Sequence, residues 1–143
     1  MKPQRVNGRG SAAVADRQGR RTGRVGPSVS VRVHRSGGWT IFEVEGEVDI
    51  QALPLMGDLV GSDAPRVVFD LHGVTFMDAR GLGMMVAIQR RALASGVRVR
   101  LAAPSRSVRR VLMLTGCDPV FETFESLREA VSAPVGPAPE PAS

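Results

Sequence analysis

Apolar and polar residues first alternate with a period of two. In SVSVRV, residues 28–33, the side chains of Val29, Val31 and Val33 share one face, and Ser36, Gly37 and Gly38 supply a turn into WTIFEVEG, which predicts a hairpin. The period then lengthens. ALPLMGDLVG, residues 52–61, sets Leu53, Met56 and Val60 on one stripe, with Pro54 in the first turn and Gly61 at the end, so a short, weak helix is expected. RVVFDL, residues 66–71, is an almost continuous apolar run, the pattern of a strand covered on both faces, and it belongs at the centre of a sheet. Residues 79–94 return to helical spacing through Leu82, Met85, Val86, Gln89, Ala92 and Leu93, and Gly96 closes that helix before the strand VRVRLA, residues 97–102.

A strand, a helix and a second strand imply a parallel pair joined by a right-handed crossover. PSRSVRRVLMLTG, residues 104–116, predicts another amphipathic helix, with Val108, Val111 and Leu112 inward and Gly116 as its stop. FETF, residues 121–124, suits a short edge strand, and ESLREAV, residues 125–131, a last helix facing inward through Leu127 and Val131. The expected fold is α/β: one domain over residues 28–132, a mixed open sheet with a parallel centre and an N-terminal antiparallel hairpin, and about four helices.

Composition adds bounds to this picture. A chain of 143 residues, 43% of them hydrophobic, supports one core. Its longest apolar run, GLGMMVAI at residues 81–88, falls well short of the ~18 residues of a membrane span, and no hydrophobic segment follows the twin arginine Arg20–Arg21. The single cysteine, Cys117, excludes an internal disulfide and a CxxC zinc pattern, so a cytoplasmic location is expected, with no membrane association. The net charge of +5 is unevenly distributed: residues 1–27 hold seven cations against Asp16, leaving the rest of the chain at −1. That N-terminal segment is rich in Arg and Gly, lacks aromatic residues and shows no apolar period, which predicts a disordered, solvated tail. A nucleic-acid partner is not expected beyond a tether through the phosphate contacts of this tail, and APVGPAPEPAS, residues 133–143, predicts an extended, disordered Pro-rich end.

In open α/β sheets the functional crevice lies beyond the carboxyl ends of the parallel strands, which here directs attention to residues 77–83. Asp78 suits a helix N-cap, and Gly81 and Gly83 cost helix stability, so they suggest close approach of another backbone, either a partner's or that of the chain's own sheet. Arg80 is unexpected, because a cation on a helix's first turn opposes the helix dipole. Ser105 and Ser107, beside Arg106, Arg109 and Arg110, read better as a capped helix with a basic face than as an anion site.

Gly46-Glu47-Val48-Asp49, then RVVFDLHGVTFMDARGLG at residues 66–83, a long helix, a strand and PSRSVRRVLMLTG together resemble the STAS domain, with Phe76-Met77-Asp78 and Gly81-Leu82-Gly83 the most specific parts. The resemblance covers residues 28–132 and is strongest to the stand-alone anti-sigma factor antagonists. It implies a partner, an anti-sigma factor that is also a serine kinase with a histidine-kinase-like ATPase fold, and a partner-binding set of Glu47, Asp49, Asp78, Ala79, Arg80, Gly81 and Leu82. In that family the Asp is followed by two hydroxyl residues, the second accepting phosphate, and phosphorylation abolishes binding. Here those places hold Ala79 and Arg80, neither of which accepts phosphate, so the switch is expected to be missing. The alternative is a small STAS subunit of a lipid-transport or stress-sensing assembly. No catalysis, cofactor or metal is expected: His34 and His72 are isolated, there is no GxSxG or phosphate-binding loop, and Gly81-Leu82-Gly83 lacks the rest of a dinucleotide fingerprint.

Overall fold

The computed structural model describes residues 14–15, 21–26, 29–48 and 65–136. Seven strands among them form one sheet in sequence order: β1 (Val14–Ala15), β2 (Arg21–Gly26), β3 (Val29–Ser36), β4 (Trp39–Val48), β5 (Arg66–Met77), β6 (Arg98–Ala102) and β7 (Glu122–Phe124). Pairing is antiparallel from β1 to β4 and parallel from β4 to β7. Three helices alternate with the later strands: α1 (Ala79–Ala94), α2 (Arg106–Thr115) and α3 (Leu127–Ser132). The helix expected at residues 52–61 lies outside the described residues.

The two faces of the sheet are unequal. One carries Phe42, Val44, Val67, Phe69 and Leu71 and is covered by α1 through Leu82, Met85 and Ile88 and by α2 through Val108, Val111 and Leu112. The other holds a smaller cluster, Trp39, Ile41, Val68 and Ala102, covered by Ala130 of α3. β5 is therefore buried on both sides, as its unbroken apolar run predicts. The β3–β4 hairpin closes through Gly37 and Gly38, both at positive φ, a geometry whose twist matches the flanking strands.

Two expectations about the termini change. The lack of an apolar face in residues 1–27 predicts disorder, yet Arg21–Gly26 pairs antiparallel with β3 and Val14–Ala15 pairs with β2. Without β2, β3 would present an edge of unpaired N–H and C=O groups. Backbone pairing onto such an edge requires no apolar side chains, so hydropathy does not report it.

At the other end, the Pro-rich stretch begins under restraint, held by Arg100. This side chain is fully buried between Trp39 and Phe124, its guanidinium carbon 4.4 Å and 4.9 Å from their ring centroids. Its Nε donates to Glu122 at 2.8 Å, Nη1 to the carbonyls of Ala130 (2.7 Å) and Ala133 (3.1 Å), and Nη2 to that of Pro134 (2.8 Å). Arg98 reaches Gly136 in the same way, at 3.0 Å. Arg100 thus takes up carbonyls at and beyond the C-terminus of α3, where the helix leaves them unpaired and a cation suits the dipole.

Candidate partner-binding rim

The carboxyl ends of β4 and β5 meet the N-terminus of α1 at one rim. Glu47 pairs with Phe76 and Val48 with Met77 across the β4–β5 ladder, so β4 remains strand to Val48. Residues 46–48 are therefore the end of a strand, facing a bulge at Thr75 of β5, and Gly46 takes φ 104° beside it. Asp49 lies outside the described residues. Asp78, in extended conformation, accepts a 2.8 Å hydrogen bond from Gly81 N at its Oδ1 and so caps α1, as its place in the sequence predicts.

The candidate residues then separate. Glu47, Ala79 and Arg80 are exposed at the rim, and Arg80 has no ion pair or hydrogen bond with its neighbours among the described residues. Gly81 and Leu82 are buried, Leu82 within the larger core. A Cβ at Gly81 would stand 2.9 Å from the carbonyl oxygen of Val48, so this glycine admits the chain's own strand end and offers no surface to a partner. Gly83 is the reverse: it is exposed, and a Cβ there would meet nothing within 4 Å.

Phe76, part of the Phe76-Met77-Asp78 motif but not among the expected partner-binding residues, is 49% exposed beside Glu47, a large apolar ring at the end of a central strand. Thr75 and Phe76 are two successive exposed residues that interrupt the buried pattern of β5, a break made by the bulge and not announced by the residue types. Below them Ser107 Oγ donates to Thr75 O at 2.9 Å and Ser105 Oγ accepts from Val108 N, so both serines are committed to holding α2. Arg109 pairs with Glu125 at 2.7 Å.

A separate polar group lies on the opposite sheet face, with Asp70 buried and His72 exposed. His72 Nδ1 lies 2.8 Å from Asp70, and that hydrogen bond and charge hold the imidazole pKa above its ordinary value against the opposing effect of burial, with lesser attraction from Glu43 and Glu45. His34 Nε2 lies 2.6 Å from Glu43, too poorly aligned for a hydrogen bond. Among the described residues no cluster of His, Cys, Asp or Glu could hold a metal ion.

A family model of the STAS domain matches residues 30–130, which span β3 to β7, the first two helices, most of α3 and the rim. The chain belongs to the STAS family. The anti-sigma-F factor antagonist RsfB of Mycobacterium tuberculosis is 28% identical over 109 residues, covering 73% of this chain and 88% of that protein. The crystal structure of an anti-sigma factor antagonist from Mycobacterium paratuberculosis superposes with a TM-score of 0.62 at 27% identity, covering 76% of this chain and 96% of the other. The phosphorylated form of the Bacillus cell fate determinant SpoIIAA shares the fold at a TM-score of 0.55 and 20% identity, with 71% and 96% of the two chains covered. No helix of the described STAS domain is long and apolar enough to cross a membrane.

Proposed function

We propose that this STAS domain is a non-catalytic antagonist that binds an anti-sigma factor of the serine-kinase type, and thereby regulates transcription, without being switched off by phosphorylation on α1. The observation that carries the reading is the first turn of α1. There, directly after the capping Asp78, the exposed positions hold Ala79 and Arg80 and no hydroxyl. A phosphoryl group on that turn would add about −1.5 to −2 charges, stabilised by the helix dipole. Arg80 places a permanent positive charge there instead, and its guanidinium carries five donors for an acidic group on the partner.

The expected partner surface on this chain is Glu47, Ala79 and Arg80 with the ring of Phe76. Asp78 contributes by holding the helix start, and Asp49 is proposed to complete the set from sequence position alone. Incubation with the purified anti-sigma factor, Mg²⁺ and ATP, followed by intact-mass measurement, should show a stable complex and no phosphate on residues 74–86. One stoichiometric phosphate there would overturn the reading, and Thr75, an exposed hydroxyl on the rim, is the first residue to inspect. Arg80→Glu tests the contact itself. It should weaken binding, and wild-type affinity in a correctly folded variant would place Arg80 outside the interface.

A further inference from the structure

The distribution of charge over the folded domain differs from its near-zero sum. Neither α1 nor α2 contains an acidic residue, while together they carry Arg80, Arg90, Arg91, Arg106, Arg109 and Arg110. All but Arg109 are exposed and without an ion pair among the described residues. Both helices lie on the same side of the sheet over the larger core and follow adjacent parallel strands, so both start at the rim and run away from it together. Asp70, Glu43 and Glu45 sit on the opposite face.

On α2 the exposed positions Arg106, Arg110, Met113 and Leu114 recur at helical spacing and form one stripe, basic near the rim and apolar at its far end. Met113 and Leu114 are 74% and 75% exposed. Val120, 40% exposed, continues this apolar end and is tied to α1 by a 3.2 Å bond from Gln89 Nε2 to its carbonyl. Among the described residues, no acidic side chain pairs with the five exposed arginines, and Met113 and Leu114 remain exposed.

We infer that the outer face of α1 and α2 is an extension of the rim interface that receives an acidic surface of the protein partner, with an apolar residue set against Met113 and Leu114. The inference rests on the functional reading above and adds the chemistry of the surface that recognises this chain. Arginine and methionine are enriched in protein interfaces, and unpaired surface arginines favour a partner of opposite sign. The face is continuous with the rim because Arg80 begins the exposed stripe of α1.

Other occupants fit less well. A symmetric contact with a second copy would bring arginines against arginines. A nucleic acid gains nothing from exposed Met113 and Leu114 and finds no aromatic residue on either helix on which to stack a base. An anionic lipid surface would gain little apolar insertion, because the other apolar residues of α2, Val108, Val111 and Leu112, are committed to the core.

The test uses the full chain and an anti-sigma factor recovered with it from its native cells, identified by mass spectrometry and then purified. Affinity is measured at low and high salt for the wild type, Arg90→Glu with Arg110→Glu, Met113→Ser with Leu114→Ser, and two controls: Arg90→Lys with Arg110→Lys, and Arg128→Glu on α3. All altered positions are exposed, and circular dichroism checks the folds. The charge-reversed protein should bind at least about tenfold more weakly at low salt, with a smaller difference at high salt. The serine pair should bind more weakly at both salt concentrations, and the controls should stay near wild type. Binding of the wild type with no loss in either the charge-reversed or the serine pair would overturn this inference while leaving the proposed function standing. No binding by the wild type would overturn both. Charge reversal that abolishes binding to anionic phospholipid vesicles or a short DNA duplex, with anti-sigma factor affinity unchanged, would reassign the face.

Discussion

Gly81 and Gly83 occupy the same helix two positions apart and should respond in opposite ways to a methyl group. At Gly81 the added carbon would stand 2.9 Å from Val48 O and 3.3 Å from Met77 Cγ, so the start of α1 would have to move off β4. Gly81→Ala should cost about 1–3 kcal/mol, the usual range for overpacking, and larger side chains more. At Gly83 the space is open, and Ala should stabilise the helix by roughly 0.5–1 kcal/mol. Urea midpoints of the two variants measure both signs. Equal shifts in one direction would show that the approach of α1 to β4 is looser than its geometry indicates. A stabilised Gly83→Ala that bound the partner poorly would mean the partner's backbone lies against that bare position.

Among the elements, α3 is the smallest, with six residues, and it depends on support from outside itself. Ser126 caps its start, Oγ accepting from Glu129 N at 3.1 Å, and Arg100 gathers its end together with the first residues of the Pro-rich stretch. Truncation after Gly136 keeps every acceptor of Arg100 described above. Truncation after Ser132 removes those of Ala133 and Pro134 and leaves a buried guanidinium short of partners, which should cost on the order of 2–4 kcal/mol. Thermal or urea unfolding of the two truncations decides the matter, and equal stabilities would mean that water replaces the lost carbonyls.

The domain as a whole should respond to pH through His72. Asp70 raises its pKa in the folded state, so the folded protein holds the proton more tightly than the unfolded chain does. The resulting stabilisation is complete below the ordinary histidine value of 6.5 and disappears as pH rises through the raised folded value. The ring is 58% exposed, so the effect is modest. The stability difference between wild type and His72→Gln should be larger at about pH 6 than at about pH 8. A constant difference would assign the contribution of His72 to packing. Arg32, His34, Glu43 and Glu45 share this sheet face with the pair, and low ionic strength gives their charges the most weight.

Sequence alone determined the order and kind of the elements from β3 to α3, because burial on one or both faces leaves a period that hydropathy records: two for β3 and β4, none for β5, and 3.6 for α1 and α2. It also determined the cap at Asp78 and the loss of a hydroxyl at positions 79 and 80, which are local facts of residue type. Tertiary structure decided the rest. That Gly81 faces Val48 while Gly83 faces open space depends on how α1 lies on the sheet, and both read identically as helix-weakening glycines. Phe76 comes to the surface because a bulge shifts the β4–β5 register beside it, whereas hydropathy would count it as buried. Arg100 reads as one charged residue within an alternating strand until β7, α3 and the start of the Pro-rich stretch surround it. The pairing of β2 on β3 rests on backbone groups that every residue carries, so composition is silent about it. The basic face of the second helix is legible in its own residues, but its union with that of α1 is hidden in the nearly neutral sum over residues 28–143, because only the fold sorts the signs onto opposite sides.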